Sequence, residues 1–230
     1  MAFNAFRRNR FANIQGAKII SDKAFYLVIA AVLFFGFAVN AVEVFFFAEA
    51  IFDFVATGAN LVWFFVGYVV MGLVGICINV FSRNPAISFL GYCLVVLPIG
   101  AILALVVPSY SFGVVRSAFF VTVILSAVFG LFAILYPRVF YSVWKILALS
   151  LLIAMVWSVV ALFTGAYFSS GYVWLDWLIV LIFCCYIGFD ISLARNRPKT
   201  MDNAVDSACG LYLDIVNVFL RLLIIFGRHD

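Results

Sequence analysis

The stretch Asn203–Gly227, NAVDSACGLYLDIVNVFLRLLIIFG, decides how the rest of the chain is read. It is long enough to cross a bilayer, which takes about 20 residues in a helix. Yet it carries Asp206, Asp214, Asn217 and Arg221. At 100° per residue, Asp206, Gly210, Asp214, Asn217 and Arg221 fall within about 80° of arc. Such a polar stripe on an apolar helix faces other helices or a cavity rather than lipid. Pro198 acts as a breaker before the helix, Asn203 with Asp206 forms a capping-box-like start, and Gly227 marks the end.

The chain around this helix is of the same kind. Of its 230 residues, 68% are hydrophobic and 10% charged, with a mean hydropathy of +1.24. A soluble domain is about 45–50% apolar and about 25% charged. The composition therefore predicts an all-α integral membrane protein, a single transmembrane domain over residues 1–230. Charge-free intervals predict seven helices, with spans near 24–42, 58–81, 86–107, 117–137, 146–166, 172–193 and 204–226. Tyr172, Trp174 and Trp177 read as an aromatic belt that places Asp176 at the membrane interface. At about 20 residues per crossing there is no room for a separate soluble domain. The first span follows a basic leader (Arg7, Arg8, Arg10, Lys18, Lys23) without a small-residue cleavage site, so it is expected to be retained. Cys77, Cys93, Cys184, Cys185 and Cys209 all fall in apolar stretches and read as small hydrophobes, not a disulfide framework.

The net charge of +4 reflects topology. The basic residues are dispersed, with no dense stripe of the kind nucleic acid requires, so the expected partner is the lipid bilayer. Alternating the loops puts eleven of the fourteen Lys and Arg on the N-terminal side, leaving Arg116, Arg221 and Arg228 on the other. The positive-inside rule then predicts a cytoplasmic N-terminus and, for an odd number of spans, an external C-terminus. The loop expected after the first span agrees, since it holds Glu43, Glu49 and Asp53 and no Lys or Arg.

Charge inside the membrane costs at least about 2.5–3.5 kcal/mol per group, so intramembrane acids mark function. Asp190 and Asp214 are equidistant from residue 202 in the turn between the sixth and seventh spans. In an antiparallel hairpin, equidistant residues reach similar depth, and the two carboxylates are expected to face each other. Such a pair shares a proton unless a cation joins it. Arg83, at the end of the second span, is one candidate cation and a divalent metal is the other. The plainer alternative is a hydrogen-bonded pair that only locks the hairpin. Gly75, Asn79 and Arg83 on the second helix, and Thr122, Ser126 and Gly130 on the fourth, repeat every four residues as packing seams or cavity linings. Asp206 fits a first-turn acid favoured by the helix dipole, with a ligand role as the alternative. Glu43 fits either an interfacial charge or part of a cation vestibule. With Asn217 and Asn79, these two acids form a possible auxiliary polar path. The only histidine, His229, lies in the tail, which argues against bis-His haem and His-based intramembrane proteolysis. The last span has no Lys for a retinal Schiff base.

The last helix resembles the signature helix of the transmembrane Bax inhibitor motif family, in which LYLDIxNLFxxLLxxxG follows an acidic residue. Leu211, Tyr212, Leu213, Asp214, Ile215, Asn217, Phe219, Leu222, Leu223 and Gly227 match. Gly188-Phe189-Asp190 is similar to the family's ending of the sixth span. AFFVTVILSAVFGLFAILYPRVF (Ala118–Phe140) is similar to its fourth, and Arg83 sits where the family tends to carry a basic residue. FFFAEAIFDF (Phe45–Phe54) matches nothing in that pattern.

The resemblance implies six helices around a central seventh, with Asp190 and Asp214 as a pH-sensitive pair and Arg83 as their latch. It also implies calcium leak across a bacterial plasma membrane or, in a eukaryote, the endoplasmic reticulum. The short N-terminal segment and lack of a long basic tail favour a prokaryotic-type member. The reading is a non-enzymatic, pH-gated cation leak channel or exchanger, without a bound cofactor. Ca2+ would be the transported ion, weakly contacted by Asp190 and Asp214, because an ion held tightly does not leave. An intramembrane aspartyl protease also uses two embedded carboxylates, but the Gly-x-Gly-Asp and Pro-Ala-Leu signatures are absent. A partner-binding membrane protein without a transport role is the third reading.

Overall fold

The computed structural model describes residues 18–142, 145–153 and 173–228. Among these the regular structure is helical, apart from one antiparallel bridge between Ile19 and Thr200. Helices are the expected outcome for a chain that must satisfy its backbone polar groups in lipid. Helix α1 is Asp22–Val42, started by Ser21, whose hydroxyl accepts the Ala24 N–H at 3.2 Å. A π-helical turn, Glu43–Phe47, leads into α2, Ala48–Ala56. Helix α3 is Gly58–Phe81, and α4 is Pro85–Val106, where Asn84 accepts the Ala86 N–H and Pro85 takes the first position, which needs no N–H. After a 3₁₀ turn, Val107–Ser109, come α5, Phe112–Leu135, and the short α6, Pro137–Ser142. Helix α7 is Val173–Asn196 and α8 is Met201–Gly227.

Six helical segments are long and apolar enough to cross a membrane: Asp22–Ala56, Asn60–Phe81, Pro85–Ser109, Phe112–Leu135, Val173–Asn196 and Met201–Gly227. The remaining expected span, 146–166, is helical up to residue 153 and then lies outside the described residues.

Three boundaries differ from the sequence expectation. The acidic loop after the first span is helical, because residues 43–56 contain neither Gly nor Pro and the break comes only at Thr57. Arg116 does not delay α5, whose cap at Ser111 places it in the second turn. The start of α8 lies at Thr200, whose hydroxyl accepts the Asn203 N–H at 3.2 Å, so Asn203 is inside the first turn rather than the cap.

Helix α8 is central. It packs most extensively on α7 and also touches α1, α3, α4 and α5. Its buried side chains include Tyr212, Leu222 and Leu223, which join Phe25 of α1 and Tyr92 of α4 in one core. The outer faces carry exposed aromatics such as Phe34, Phe45 and Trp63, a surface suited to lipid. Helix α3 is peripheral and rests mainly on α4, where Gly75 and Gly91 bring the two backbones together: a methyl on Gly75 would stand 2.6 Å from the Gly91 carbonyl oxygen.

Cross-links sort the helix ends. At one end Ile19 pairs with Thr200, the Ser88 hydroxyl donates to Asp202 at 2.6 Å, and Arg195 donates to the Ile134 carbonyl at 2.7 Å. At the other end Asp176 binds Arg221 and Arg228, and Tyr110 packs on Gly227. Burial raises the Tyr110 pKa, and the nearby Arg228 charge opposes the rise.

Candidate functional site

The α7–α8 hairpin sets the register of the site. Lys199 donates from Nζ to the Ala194 and Arg195 carbonyls at 2.8 and 3.0 Å, closing the last turn of α7 where unpaired carbonyls favour a cation. The same ammonium lies 4.5 Å from the Phe25 ring centroid. Burial lowers the Lys199 pKa; the nearby Asp22 acts against this and Arg195 adds to it. Asn203 Nδ2 donates to the Pro198 carbonyl at 2.8 Å. The turn is thereby tight.

The Asp190 carboxylate rests directly against Gly210, where a methyl would collide with Oδ2 and stand 3.2 Å from Cγ. Positions 190 and 210 are symmetric about Thr200, two residues before the centre expected from sequence. Asp214 stands one turn beyond Gly210 on the same face of α8, and a helical side chain leans back over the turn before it, toward the Asp190 carboxylate. The Asp190 charge still reaches Asp214. Asp214 also lies within electrostatic reach of Cys184 and Tyr186 of α7. Its side chain is buried, and its Oδ2 has no hydrogen-bond partner among the described residues. A buried polar atom left in that state calls for a proton, an ion or water.

Asp190 and Asp206 both line a cavity of about 200 Å³ with Asn79, Ser207, Gly210 and Arg197. The basic residue in this lining is Arg197, from the hairpin turn, whose Nη1 donates to the Ser207 hydroxyl at 3.4 Å. The structure does not bring Arg83 here. Arg83 is exposed and lines a separate groove of about 770 Å³ with Lys18, Asn84, Thr200 and Asp202. The chain leaves the helical path after Phe81, which carries Arg83 away from the stripe of Gly75 and Asn79. Asn79 is buried and donates to the Ser88 carbonyl at 3.2 Å. Asn217 donates to the Leu213 carbonyl in its own helix at 2.7 Å. Among the described residues no three acidic, Cys or His side chains group as a metal cage.

Glu43 sits across α8 from this cavity. It accepts from Asn40 Nδ2 at 3.3 Å, and its carboxylate presses on Gly100 of α4. Asn40 also donates to the Val96 carbonyl at 3.2 Å and accepts from the Tyr212 hydroxyl at 2.6 Å. Tyr212 and Asp214, two residues apart, point to opposite sides of the helix.

Sequence reasoning missed Asp176. Expected at the interface, it is buried and bridged to both Arg221 and Arg228. The aromatic belt around it suggested exposure. The signal that could have found it was Arg221 on the polar stripe, which needs an acid from a neighbouring helix. For Arg197 the clue available in the sequence is its place in the charged turn between the last two spans.

The sequence matches the family described as inhibitor of apoptosis-promoting Bax1 over residues 18–230. Two Helicobacter pylori proteins from different strains, each described as an uncharacterized protein, are 29% and 28% identical to this chain over 151 residues. The matched segment is 65% of this chain and 61% of each relative, so the chain spans about three fifths of their length.

Proposed function

The chain belongs to the Bax inhibitor family, and from that premise we propose that it is a non-enzymatic, pH-sensitive leak channel or exchanger for cations, with Ca2+ as the expected ion. The observation that carries this reading is Asp214, buried in the central helix within reach of the Asp190 charge, with a carboxylate oxygen that has no partner among the described residues. A carboxylate in apolar surroundings must take a proton or a cation, and either choice depends on pH. Asp190 opens onto the cavity that reaches Arg197, which gives water and ions an approach from that end of the bundle. Ca2+ is a hard cation that takes oxygen ligands, and two carboxylates, too few for a tight cage, would contact it weakly enough to let it pass.

The mechanism follows from the contact between Asp190 and Gly210. Protonation or cation arrival changes the charge in this seam, and α7 and α8 repack between closed and open arrangements. Arg197 supplies the cation nearest the acids in the closed form, while Arg83 acts only by its field at the rim.

Seven crossings are part of the proposal. Helix α5 ends where α7 ends, and α7 begins at the opposite end. The apolar interval from residue 146 is what supports the additional crossing. The excess of Lys and Arg on the N-terminal side supports a cytoplasmic N-terminus, in a bacterial plasma membrane. The test is uptake of Ca2+, with Na+ and Mg2+ for comparison, into proteoliposomes of the purified protein across a range of pH. Uptake that varies with pH supports the reading, and liposomes no leakier than protein-free ones contradict it.

A further inference from the structure

The groove of about 770 Å³ that Arg83 lines lies where three crossing segments end. Its walls come from the last turn of α3, the first turn of α4 and the start of α8, and those segments end or begin at Phe81, Pro85 and Met201. Helices of this length span the hydrocarbon core, so the groove stands at the height of the lipid headgroups. Lys18 and Arg83 are exposed on it, and among the described residues neither makes an ion pair or a side-chain hydrogen bond. Lys18 is tied to the bundle by its neighbour, since Ile19 pairs with Thr200. Asp202 is the acid of the lining, and its Oδ1 accepts from the Ser88 hydroxyl at 2.6 Å. Residues 1–17, which lead into Lys18, hold Arg7, Arg8 and Arg10 and no acid. That leader adds positive charge and offers the groove no anion.

The wall on the span side is apolar and open, with Phe81 71% and Ile87 47% exposed. In a bilayer such side chains face acyl chains. Two cations at headgroup height beside an apolar wall fit both parts of an anionic phospholipid, whereas a free anion would use only the charges. We propose that this groove binds one anionic phospholipid, with its phosphate held by Lys18 and Arg83 and an acyl chain lying against Phe81 and Ile87. Basic pockets between transmembrane helices take such headgroups by charge. The binding needs no cation path and stands apart from the transport reading.

Native mass spectrometry of the purified full chain tests it, by titration in detergent with phosphatidylglycerol or with phosphatidylcholine of the same acyl chains. The first phosphatidylglycerol should bind several-fold tighter than phosphatidylcholine. Arg83→Gln and Lys18→Gln should each weaken it about fivefold, the effect of one basic charge at a lipid surface. Arg83→Lys, which restores the charge, should return most of the affinity. Arg138→Gln is the control, because Arg138 is exposed just beyond α5, at the same end of the bundle and outside the groove. It should leave the affinity unchanged. If Arg138→Gln weakens binding as much as Arg83→Gln does, the attraction is diffuse surface charge and the groove is refuted as a site. Equal binding of the two lipids overturns the proposal. Displacement of phosphatidylglycerol by an equal concentration of inorganic phosphate also overturns it, by reducing the groove to an anion site. Should one of the two groove variants not fold, the other reads the same groove, and unchanged affinity there refutes it.

Discussion

Replacing Gly210 with alanine tests the α7–α8 seam where it is tightest. The new methyl would overlap Asp190 Oδ2, and Cγ would stand 3.2 Å away, so the carboxylate must move outward. The obstacle is the end of a flexible side chain, and driving it off its rotamer costs about 0.5–1.5 kcal/mol. Alanine returns about 0.5–1 kcal/mol relative to glycine in a helix interior. The two nearly cancel, so Gly210→Ala should remain within about 1 kcal/mol of wild type in stability. Gly75→Ala is the contrast. There the methyl meets the Gly91 carbonyl oxygen at 2.6 Å and Val95 Cγ2 at 2.9 Å, and backbone cannot swing aside. Overpacking of about 1–3 kcal/mol then exceeds the helix gain, leaving Gly75→Ala less stable than Gly210→Ala. Thermal unfolding in detergent reads the stability, and Ca2+ flux against pH reads the function. Gly210→Ala should shift the midpoint of the flux curve because Asp190 is displaced relative to Asp214, whereas Gly75→Ala should lower the unfolding temperature without moving the midpoint. A Gly210→Ala curve superimposable on wild type would refute the reasoning.

Tyr212→Phe removes the donor to Asn40 Oδ1 and leaves a buried acceptor unpaired, at a cost of about 1–3 kcal/mol, read as a lower unfolding temperature. Lys199 should titrate below its ordinary 10.5 when followed by NMR. Because the unfolded chain binds this proton more tightly, the cost of the buried charge is present below the folded pKa and is relieved as pH rises through it toward 10.5, so this group makes stability rise with pH there. Accessibility labelling of Arg10→Cys and Asp230→Cys should find the first from the cytoplasm and the second from outside. Labelling of both from one side would remove the odd number of crossings.

The periodicity of Asp206, Gly210, Asp214, Asn217 and Arg221 was legible because a helix repeats locally, and α8 does lie at the centre of the bundle. What the chain order hid were facts of register and of distance. The contact of the Asp190 carboxylate with Gly210 is one of them, since it depends on the Lys199 and Asn203 hydrogen bonds that close the turn about Thr200. Asp176 and Arg221 are 45 residues apart, and only the packing of α7 on α8 joins them. Glu43 read as a loop acid because charge ends a hydropathic interval, although it does not end a helix. Arg83 illustrates the reverse case: its spacing from Asn79 fits one helical face, but the helix stops at Phe81.

Calcium uptake into proteoliposomes, compared between wild type and Asp214→Asn from about pH 5 to 8, tests the account most directly, because carboxyl pairs in protein interiors change protonation across that window. The substitution keeps the size of the side chain and removes its titration. The account predicts a pH-dependent curve for wild type and a flattened one for Asp214→Asn. Superimposable curves would contradict it and leave Asp190 and Asp214 as parts of the packing alone.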